Sequence, residues 1–490
     1  MSSRFAPVTD PNLRVTGLGT VHFIGLGGAG MSVIARMLHS AGVRVQGSDQ
    51  ASGEVTESLQ ELGITVFEGH AAEQVAGADT VVVSSAVREE NPELTFARTH
   101  GLRVLHRSQA LALLMRDRRA IAVAGAHGKT STSAMIAVGA LELGLDPSFA
   151  IGGSVITSAG PIAGGRLGSS DVVIAEADES DGSFLNYEPM IAVVTNVEPD
   201  HLDHYGSAAA FAQAFVDFAG HITPAGTLVA CGDDPGARAV ATAHRDAGGA
   251  VLTYGENPEN DLVVSGLVQA QGSVGITATV TLGPRVTATS SHAVTLNLAV
   301  PGVHNVLNAT AALATLILLG SDPAAAAGAL GHFLGTGRRF ESRGEAAGVH
   351  VVDDYAHHPT EVTALLKAAR VAAGSGRVLT LFQPHLFSRT KTFVNEFADA
   401  LSASDVTVLS RIYAAREDFD PTIASTDVAA RMTGRVLVVD DLDQAAATIA
   451  DLARPGDLVL TVGAGDVTRV GPDIVAALVA RSMHQEVPKQ

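Results

Sequence analysis

Cysteine and long apolar runs are scarce in this sequence. The chain has 490 residues and one cysteine, Cys231, which excludes an internal disulfide framework and favours a reducing compartment. Its longest apolar stretch, around 306–319, is interrupted by Asn308 and Thr310 and is shorter than the ~18 apolar residues of a membrane span. Because no basic segment precedes an apolar one near residue 1, no secretory signal is predicted. We expect a cytoplasmic protein without a membrane span.

Positive charge is scarce as well. The chain has 51 acidic and 32 basic side chains, for a formal net charge of −19. Nucleic-acid-binding proteins carry a basic face, and no run of Lys and Arg predicts one here. An anionic substrate would need positive groups placed locally, which makes each of the four lysines informative. They are Lys129, Lys367, Lys391 and Lys489.

Length and patterning predict an α/β protein of three domains. Hydrophobic residues make up 46% and charged residues 17% of the chain, as in ordered globular proteins. Apolar strands alternate with amphipathic helices, which indicates parallel, doubly wound sheets. The predicted domains are an N-terminal Rossmann-like domain (1–117), a central P-loop ATPase-like domain with added β-hairpins at 262–300 (118–336), and a C-terminal Rossmann-like domain (337–490).

Short apolar runs that end in glycine or polar residues predict the individual strands. The predicted strands are 20–25, 43–47 and 79–83 in the first domain, 120–124, 171–175 and 190–195 in the second, and 349–353, 377–382, 405–409, 435–439 and 457–461 in the third. Helices are predicted from the first glycine turn to about Ser40 and from about 303 to 320.

The first glycine turn, residues 25–30, has the sequence Gly-Leu-Gly-Gly-Ala-Gly and fits G-x-G-x-x-G between a strand and a helix. Such glycines allow a tight turn and let backbone N–H groups approach a diphosphate. An acid about 20 residues further on completes the fingerprint, and Asp49 provides it. A nicotinamide dinucleotide and a UDP-sugar both carry the diphosphate and ribose that this turn would hold. A purely structural turn is the remaining interpretation.

A second glycine turn, residues 125–132, joins the strand 120–124 to an apolar helix and contains Gly-Lys-Thr, the functional end of a P-loop. In a P-loop the lysine contacts the β- and γ-phosphate oxygens and the following hydroxyl binds Mg²⁺. The general pattern places another glycine at the position of Val123, so this loop is a shortened version. An ordinary surface turn is the alternative.

Two polar clusters, 176–183 and 196–205, follow predicted strands of the central domain. Ligands of open α/β sheets bind at the carboxyl ends of strands. Mg²⁺ takes oxygen ligands, so Glu176 near Thr130 is a candidate metal ligand. For Glu179 and Glu198 we expect solvated loop charges.

Histidines in the second cluster leave a zinc site open as an alternative. His201 and His204 are close in sequence, but no cysteine or third histidine joins them at helical spacing.

Nine motifs make the chain resemble the Mur ligase family over nearly its whole length. Chance agreement of nine motifs in the same order is negligible. Within the family, the chain is most similar to the members that add L-alanine to UDP-N-acetylmuramate. The motifs are GLGGAGMS (25–32), GAHGKTST (125–132), EADESDGS (176–183), TNVEPDHLDHYG (195–206), PGVHNVLNA (301–309), GRRFE (337–341), DDYAHHPTE (353–361), FQPHLFSRT (382–390) and GAGD (463–466).

The resemblance implies five groups of site residues. Lys129, Arg339 and His201 would be catalytic, and Thr130, Glu176 and His201 would hold Mg²⁺ or Mn²⁺. The implied ATP-binding residues are Gly125, Ala126, His127, Gly128, Lys129, Thr130, Ser131, Asn305, Asn308 and Arg339. The implied UDP-sugar ligands are Gly25, Gly27, Gly28, Ala29, Gly30, Asp49 and Ser84. Tyr355, His357 and Arg389 would face the amino acid.

The implied activity is that of an ATP-dependent ligase of peptidoglycan precursor synthesis. The carboxylate of UDP-N-acetylmuramate would attack the γ-phosphate, and the amine of L-alanine would attack the resulting acyl phosphate. Phosphoryl transfer of this kind depends mainly on positioning and charge neutralisation. Closure of the third domain would exclude water. We expect a monomer or weak homodimer with small-molecule substrates and no nucleic-acid partner.

Three positions depart from the family pattern. Ala126 replaces a hydroxyl residue, Ser131 replaces threonine, and Leu386 stands where some relatives carry arginine, which puts a second cation beside Arg389 in doubt. Later-acting family members use a carbamylated lysine after the metal histidine. This chain has no lysine between Lys129 and Lys367, which argues against those members.

Several alternatives stay open at this stage. A ligase that attaches a whole tripeptide to the same UDP-sugar shares these motifs. A nicotinamide-dependent oxidoreductase and a non-catalytic nucleotide switch are the interpretations from other classes. Among single residues, Tyr355 could be a core residue, His358 and His385 could be packing residues, and Asn305 could cap the helix that follows it.

Overall fold

A computed structural model of the chain describes residues 10–287, 292–415 and 417–485. They form two compact units. The first runs up to residue 265 and includes 279–296 and 307–333; the second consists of 266–278, 297–306 and the chain from 334 on. Within the described part of the chain, every helix is too short or too polar to cross a lipid bilayer.

The first sheet has five parallel strands, in the order β3-β2-β1-β4-β5. Because β1 is central, all four of its residues are buried. The strands are β1 (Val21–Ile24), β2 (Val45–Asp49), β3 (Thr65–Glu68), β4 (Thr80–Val83) and β5 (Arg103–His106), and the helices are α1 (Ala29–Ser40), α2 (Glu54–Glu61), α3 (Pro92–Thr99) and α4 (Arg107–Met115).

The second sheet begins with the strand that leads into the phosphate loop. Its strands are β6 (Arg119–Ala124), β7 (Ser148–Ala150), β10 (Gly165–Arg166), β11 (Val172–Glu176), β12 (Ile191–Val194), β13 (Thr227–Cys231), β14 (Ala250–Gly255), β15 (Leu262–Val268), β16 (Ile276–Leu282) and β17 (His292–Leu298), while β8 (Val155–Thr157) and β9 (Gly160–Ile162) pair separately. The order is β10-β7-β11-β6-β12-β13-β14-β15-β16-β17. The helices are α5 (Lys129–Glu142), α6 (Leu202–Tyr205), α7 (Ala208–Gly220), α8 (Pro235–Asp246), α9 (Pro284–Thr287), α10 (Val303–Leu318) and α11 (Pro323–Leu330).

The order of the second sheet positions the polar clusters. β6 lies between β11 and β12 and is parallel to both. Parallel neighbours end at the same edge of a sheet, so the phosphate loop and the clusters after β11 and β12 all follow the carboxyl ends of adjacent strands. The sequence prediction placed both clusters at this edge, and the structure agrees.

The third sheet lies in the second unit and has the order β18-β19-β23-β20-β21-β22, with β18 antiparallel and the other strands parallel. Its strands are β18 (Glu341–Ala346), β19 (Val349–Asp354), β20 (Val378–Phe382), β21 (Val406–Leu409), β22 (Arg435–Val438) and β23 (Leu458–Val462). Its helices are α12 (Pro359–Ala373), α13 (Phe387–Thr392), α14 (Val394–Leu401), α15 (Ser425–Ala429), α16 (Leu442–Leu452) and α17 (Gly471–Gln485).

Both faces of the third sheet are apolar, as a doubly wound fold requires. Leu379 and Leu381 of β20 pack in one buried cluster with residues of α16 and α17. Val378 and Phe382 of the same strand pack in a second cluster with residues of α12 and α14. Successive strand residues point to opposite faces, so one strand contributes to two cores. The predicted α/β class with parallel sheets is confirmed.

Candidate active site

A cavity of about 1130 Å³ lies where the strands of the first sheet end. Every residue predicted to bind the UDP-sugar lines it: Gly25, Gly27, Gly28, Ala29, Gly30, Asp49 and Ser84. The wall also contains polar residues that the sequence did not single out, among them His70, Arg88, Asn91 and Arg107. The cavity therefore combines a glycine turn with two arginines, Arg88 and Arg107, and three acids, Asp49, Glu54 and Glu90.

The glycine turn is held by the neighbouring strand β2. Gly25 has φ +80°, a conformation that favours glycine. The N–H groups of Gly25 and Leu26 both donate to the carbonyl oxygen of Ser48, each at 2.9 Å. Asp49 Oδ2 accepts a 2.7 Å hydrogen bond from Gly27 N, so the acid of the fingerprint also fixes the turn. Since α1 begins at Ala29, the positive end of its dipole lies at the cavity.

Arg107 places a cation beside this turn. A Cβ atom added to Gly30 would lie 2.6 Å from Arg107 Nη1, so a larger residue would displace the guanidinium from this position. Arg107 Nη2 donates to Asp178 Oδ2 at 2.6 Å. Burial acts to lower the pKa of Arg107, but the Asp178 carboxylate outweighs it and raises the pKa above its usual value. Asp178 belongs to the acidic cluster after β11, so this ion pair connects the cavity to the phosphate-loop region.

The phosphate loop joins β6 to α5. Gly125 and Gly128 have φ values of +141° and +85°. A Cβ atom at Gly125 would overlap Thr195 Oγ1, and one at Gly128 would lie 2.7 Å from Asn308 Oδ1. Val123, which stands at the position of the missing glycine, is fully buried in β6, so the strand continues to Ala124 and the loop is correspondingly short.

Lys129 is folded back onto its own loop. Its Nζ atom donates to the carbonyl oxygens of Gly125 at 2.6 Å and Ala126 at 3.3 Å, and lies 2.8 Å from Glu179 Oε2. Burial acts to lower the pKa of Lys129, but the carboxylates of Glu179 and Asp178 outweigh it and raise the pKa. The ammonium is therefore charged and in contact with oxygens, which suits a group that binds phosphate.

Glu179 is not the solvated loop charge that the sequence suggested. Its side chain is 1% exposed and pairs with Lys129. Burial raises the pKa of Glu179 above its ordinary value, against the opposing effect of the Lys129 charge. Tyr205 Oη donates to the Glu179 carbonyl oxygen, which fixes the backbone at this point. Sequence position alone could not predict this burial, because it depends on how the 176–183 segment folds over the phosphate loop.

The predicted metal ligands lie around the same lysine. Thr130 Oγ1 donates to Glu176 Oε1 at 2.9 Å. His201 Nε2 lies 3.9 Å from Glu179 Oε1 and 3.7 Å from Asp200 Oδ2. His201 has φ +52°, a left-handed conformation that is uncommon for residues with a side chain but more frequent for histidine than for most. Thr130 and Glu176 are thus in direct contact, while His201 follows the adjacent strand β12 and lies near Glu179.

Glu198 also differs from the expectation. The Glu198 carboxylate, predicted to be solvated, lies 3.1 Å from His127 Nε2 and is partly buried. The backbone N–H of His127 donates to Asn196 Oδ1 at 2.9 Å. Residues 196–198 therefore support the phosphate loop directly.

Within the second unit, the residues predicted to face the amino acid cluster together. The guanidinium of Arg339 lies 5.3 Å from the centre of the Tyr355 ring, and the rings of Tyr355 and His357 are 5.2 Å apart. Arg339 and His357 share Glu361, at 3.5 and 3.2 Å. Sequence reasoning did not assign Glu361 a role, although it lies in one of the nine motifs.

Arg389 extends this cluster through a histidine. Arg389 is buried and its Nη1 lies 3.4 Å from His385 Nδ1. The His385 ring is 6.0 Å from that of His357. Leu386, the departure from the family pattern, has φ +70° and precedes α13, which carries Arg389.

The two predicted asparagines have different surroundings. In the first unit, Asn308 is buried on α10 and borders Gly128 of the phosphate loop. In the second unit, Asn305 Nδ2 donates to the carbonyl oxygen of Pro301 at 2.7 Å. α10 begins at Val303, so Asn305 lies in its first turn and is not the residue that caps it.

Three family models match the chain in succession. They are described as Mur ligase family, catalytic domain, over residues 20–119; Mur ligase middle domain, over residues 123–316; and Mur ligase, glutamate ligase domain, over residues 338–465. The chain belongs to the Mur ligase family. The family resemblance identified from the nine motifs is thereby confirmed.

Curated relatives of this Mur ligase match over almost its full length. The UDP-N-acetylmuramate–L-alanine ligase of Kineococcus radiotolerans is 52% identical over 475 residues, which cover 95% of this chain and 98% of the relative. The enzyme of the same name from Paenarthrobacter aurescens is 50% identical, with 94% and 97% covered.

Solved structures of other Mur ligases share the fold. The crystal structure of the UDP-N-acetylmuramate–alanine ligase of Thermotoga maritima has a TM-score of 0.77 at 28% identity and covers 95% of this chain and 100% of its own. A murein peptide ligase from Psychrobacter arcticus has a TM-score of 0.69 at 24% identity, with 94% and 99% covered, which indicates a common fold.

Proposed function

We propose that the chain is an ATP-dependent ligase that joins L-alanine to the carboxylate of UDP-N-acetylmuramate, a step of peptidoglycan precursor synthesis. One observation carries the proposal: a phosphate loop with a partly buried, charged lysine is linked by the Arg107–Asp178 ion pair to a large cavity that has a glycine turn. A site for phosphoryl transfer and a site for a nucleotide-linked substrate are thus parts of one unit. The names of the curated relatives support the same activity.

The first chemical step requires positive charge around the transferred phosphate. A carboxylate oxygen of the UDP-sugar attacks the γ-phosphorus of ATP, the bond to the β-phosphate oxygen breaks, and ADP leaves. The loop N–H groups and Lys129 hold the nucleotide phosphates, and Arg339 is assigned to the γ-phosphate. Preorganised cations are the main contribution of a protein to such a reaction.

The second step forms the amide bond. The neutral amine of L-alanine attacks the acyl carbon, and collapse of the tetrahedral intermediate expels inorganic phosphate and a proton. We assign Tyr355, His357 and Arg389 to the amino-acid side. A buried arginine suits the carboxylate of the incoming amino acid because its guanidinium can bind both oxygens.

A divalent metal ion fits the donor set next to Lys129. Thr130 and Glu176 supply oxygens that already contact each other, and His201 supplies a nitrogen. These residues would hold Mg²⁺, or Mn²⁺ in its place, and a bound ion would neutralise charge on the nucleotide phosphates.

The proposal extends to organisation and location. We place the domain boundaries at 117/118 and 336/337, with the UDP-sugar domain first, the ATP domain in the centre and the amino-acid domain last. We also propose a cytoplasmic enzyme that acts as a monomer or weak homodimer. Supply of UDP-linked substrate and ATP from the cytosol suits this assignment.

Turnover measurements test the proposed activity. Phosphate release from ATP in the presence of UDP-N-acetylmuramate should saturate with L-alanine, and the product should gain the mass of one alanine residue. Saturation with a tripeptide alone would instead assign the recycling ligase. Titration with NADH should give no binding, and binding would instead favour a nicotinamide-dependent oxidoreductase that uses the turn at 25–30.

A further inference from the structure

A fully buried carboxylate, Glu93, lies behind the cavity wall of the first unit. Three side chains converge on it: His22 Nε2 at 3.1 Å, Ser48 Oγ at 2.6 Å and His70 Nδ1 at 2.9 Å. Burial acts to raise the pKa of Glu93, but the hydrogen bonds from His22 and Ser48 outweigh it and lower the pKa. A carboxylate can only accept hydrogen bonds, so all three partners must donate.

This requirement fixes the hydrogen positions on His70. Because Nδ1 donates to Glu93, its hydrogen is on Nδ1, and a neutral ring then carries a lone pair on Nε2. His70 is 27% exposed and lines the cavity. Its Nε2 atom is the ring nitrogen left for a ligand.

The sheet order indicates which part of a nucleotide His70 would meet. The diphosphate turn follows β1, Asp49 ends β2, and His70 follows β3, while the strands are arranged as β3-β2-β1. In folds of this kind the diphosphate lies over the first turn and the ribose near the acid at the end of the second strand. His70 lies one strand further out than Asp49 in the same direction, and we therefore expect it at the nucleoside end of the ligand.

We propose that His70 Nε2 accepts a hydrogen bond from the nucleoside of the UDP-sugar, and that Glu93 is the positioning residue that holds His70 in the accepting tautomer. The hydrogen-bond donor is either the uracil N3–H or a ribose hydroxyl. The inference rests on the proposed function only in taking the ligand to be a uridine nucleotide. It adds a recognition element that would discriminate among nucleosides.

Replacing His70 tests the acceptor. His70→Ala should weaken UDP binding, measured by titration calorimetry, and raise KM for the UDP-sugar by about 3- to 10-fold, the effect of one lost hydrogen bond. The KM for ATP and kcat should stay within about twofold, since one uniform binding contact is removed. The exposed Glu61→Gln on α2, outside the cavity, is the matched control. Unchanged UDP affinity in His70→Ala overturns the inference.

Nucleotide analogues identify the donor without altering the fold. If uracil N3–H is the donor, N3-methyl-UDP should bind the unaltered enzyme about 3- to 10-fold more weakly than UDP, and His70→Ala should bind both equally. If a ribose hydroxyl is the donor, 2′-deoxy-UDP or 3′-deoxy-UDP should show this pattern instead. If no analogue loses its penalty in His70→Ala, His70 accepts from neither donor and the inference is wrong.

A double-mutant cycle tests the role of Glu93. The amide of Glu93→Gln has one acceptor oxygen, whereas the carboxylate offers two to the hydrogen-bond donors around it. His70 would then no longer be held in one tautomer. KM for the UDP-sugar should therefore rise as in His70→Ala. The double variant should then be no worse than His70→Ala, because both changes remove one contact. Additive effects on KM would show that Glu93 acts through packing instead. Calorimetric binding of UDP separates this result from a failure of the ligase activity itself.

Discussion

Lys129 and Glu179 are the residue pair on which the phosphate site is centred. The scarcity of lysine in the sequence predicted that Lys129 has a function, and its partly buried position beside Glu179 fits that prediction. The prediction that Glu179 is a solvated loop charge was wrong. Glu179 is separated from Lys129 by 49 residues of chain that include β7 to β11, and its burial depends on a long-range approach that periodicity does not encode. Nucleotide phosphate must compete with this carboxylate for the ammonium.

Loss of the Lys129 charge is expected to abolish most activity. Lys129→Ala should lower turnover by at least ~100-fold, because positioned charge on a transferred phosphoryl group commonly contributes that much. Steady-state phosphate release measures it. Lys391→Ala, which removes an exposed lysine paired with Asp420, serves as control and should leave turnover unchanged. Normal turnover in Lys129→Ala would remove the role assigned to this residue.

His70 and Glu93 illustrate what single-sequence reasoning misses at this scale. Neither residue lies in one of the nine motifs, and the two are 23 residues apart in the sequence. A glutamate in the first turn of α3 is what helix electrostatics favours in any protein. Only the three converging donors distinguish Glu93 from an ordinary helix-terminal acid.

Many strands with continuous apolar runs were predicted from the sequence, and so was the edge strand β22. The internal strands β7, β13 and β14 and the edge strands β3, β5 and β18 were missed. β1, β6, β11, β12 and β20 lie inside their sheets, and each lies within or close to its predicted range. β3, β5 and β18 are edge strands. Edge strands are half covered, so their residues need not be apolar, and β18 has the sequence Glu-Ser-Arg-Gly-Glu-Ala. Pairing with β19 determines that strand more than its own composition does.

The start of α1 gives a prediction for the glycine turn. Gly30→Ala would place a methyl group 2.6 Å from Arg107 Nη1 and displace the guanidinium. We expect KM for the UDP-sugar to rise by about 10-fold, the effect of losing one charge-assisted contact from Arg107. The higher helix propensity of alanine should at the same time slightly stabilise α1.

A second helix provides the comparison for this substitution. Gly328 lies in α11, and a Cβ atom there would meet nothing within 4 Å. Gly328→Ala should therefore leave both KM values unaltered. If Gly30→Ala behaves in the same way, Arg107 does not contact the substrate diphosphate.

At the scale of the whole molecule, motif order was the strongest sequence signal. The α/β class, the Mur ligase family and the alanine-adding activity predicted from the motifs are confirmed by the family models and the curated relatives. The predicted domain boundaries and the roles of individual site residues stay predictions. Motifs identify the chemistry of a site, but they do not predict which side chains a residue such as Glu179 contacts in the folded chain.

The net charge of −19 predicts an unusual salt dependence. The protein as a whole repels its anionic substrates, while the partly buried cations of the site attract them locally. Screening shortens from ~30 Å at 0.01 M to ~8 Å at 0.15 M ionic strength, so added salt removes the long-range repulsion first. We expect KM for ATP and for the UDP-sugar to fall or stay constant as NaCl rises over this range at fixed Mg²⁺.

L-Alanine is the internal control for this measurement. It is a zwitterion without net charge, so its KM should not respond to the same change in salt. A steep rise in KM for the two anionic substrates would mean that exposed ion pairs, and not buried ones, hold them.

The hairpin between β15 and β16 has a consequence for anyone who divides this enzyme. Residues 266–278 belong to the second unit, where the N–H of Gly272 donates to the carbonyl oxygen of Val371 in α12 at 2.9 Å. A cut at residue 336, where the sequence suggests a junction, would separate this loop from the helix it contacts. An isolated C-terminal fragment that starts there would lack the loop 266–278, which is part of its own compact unit.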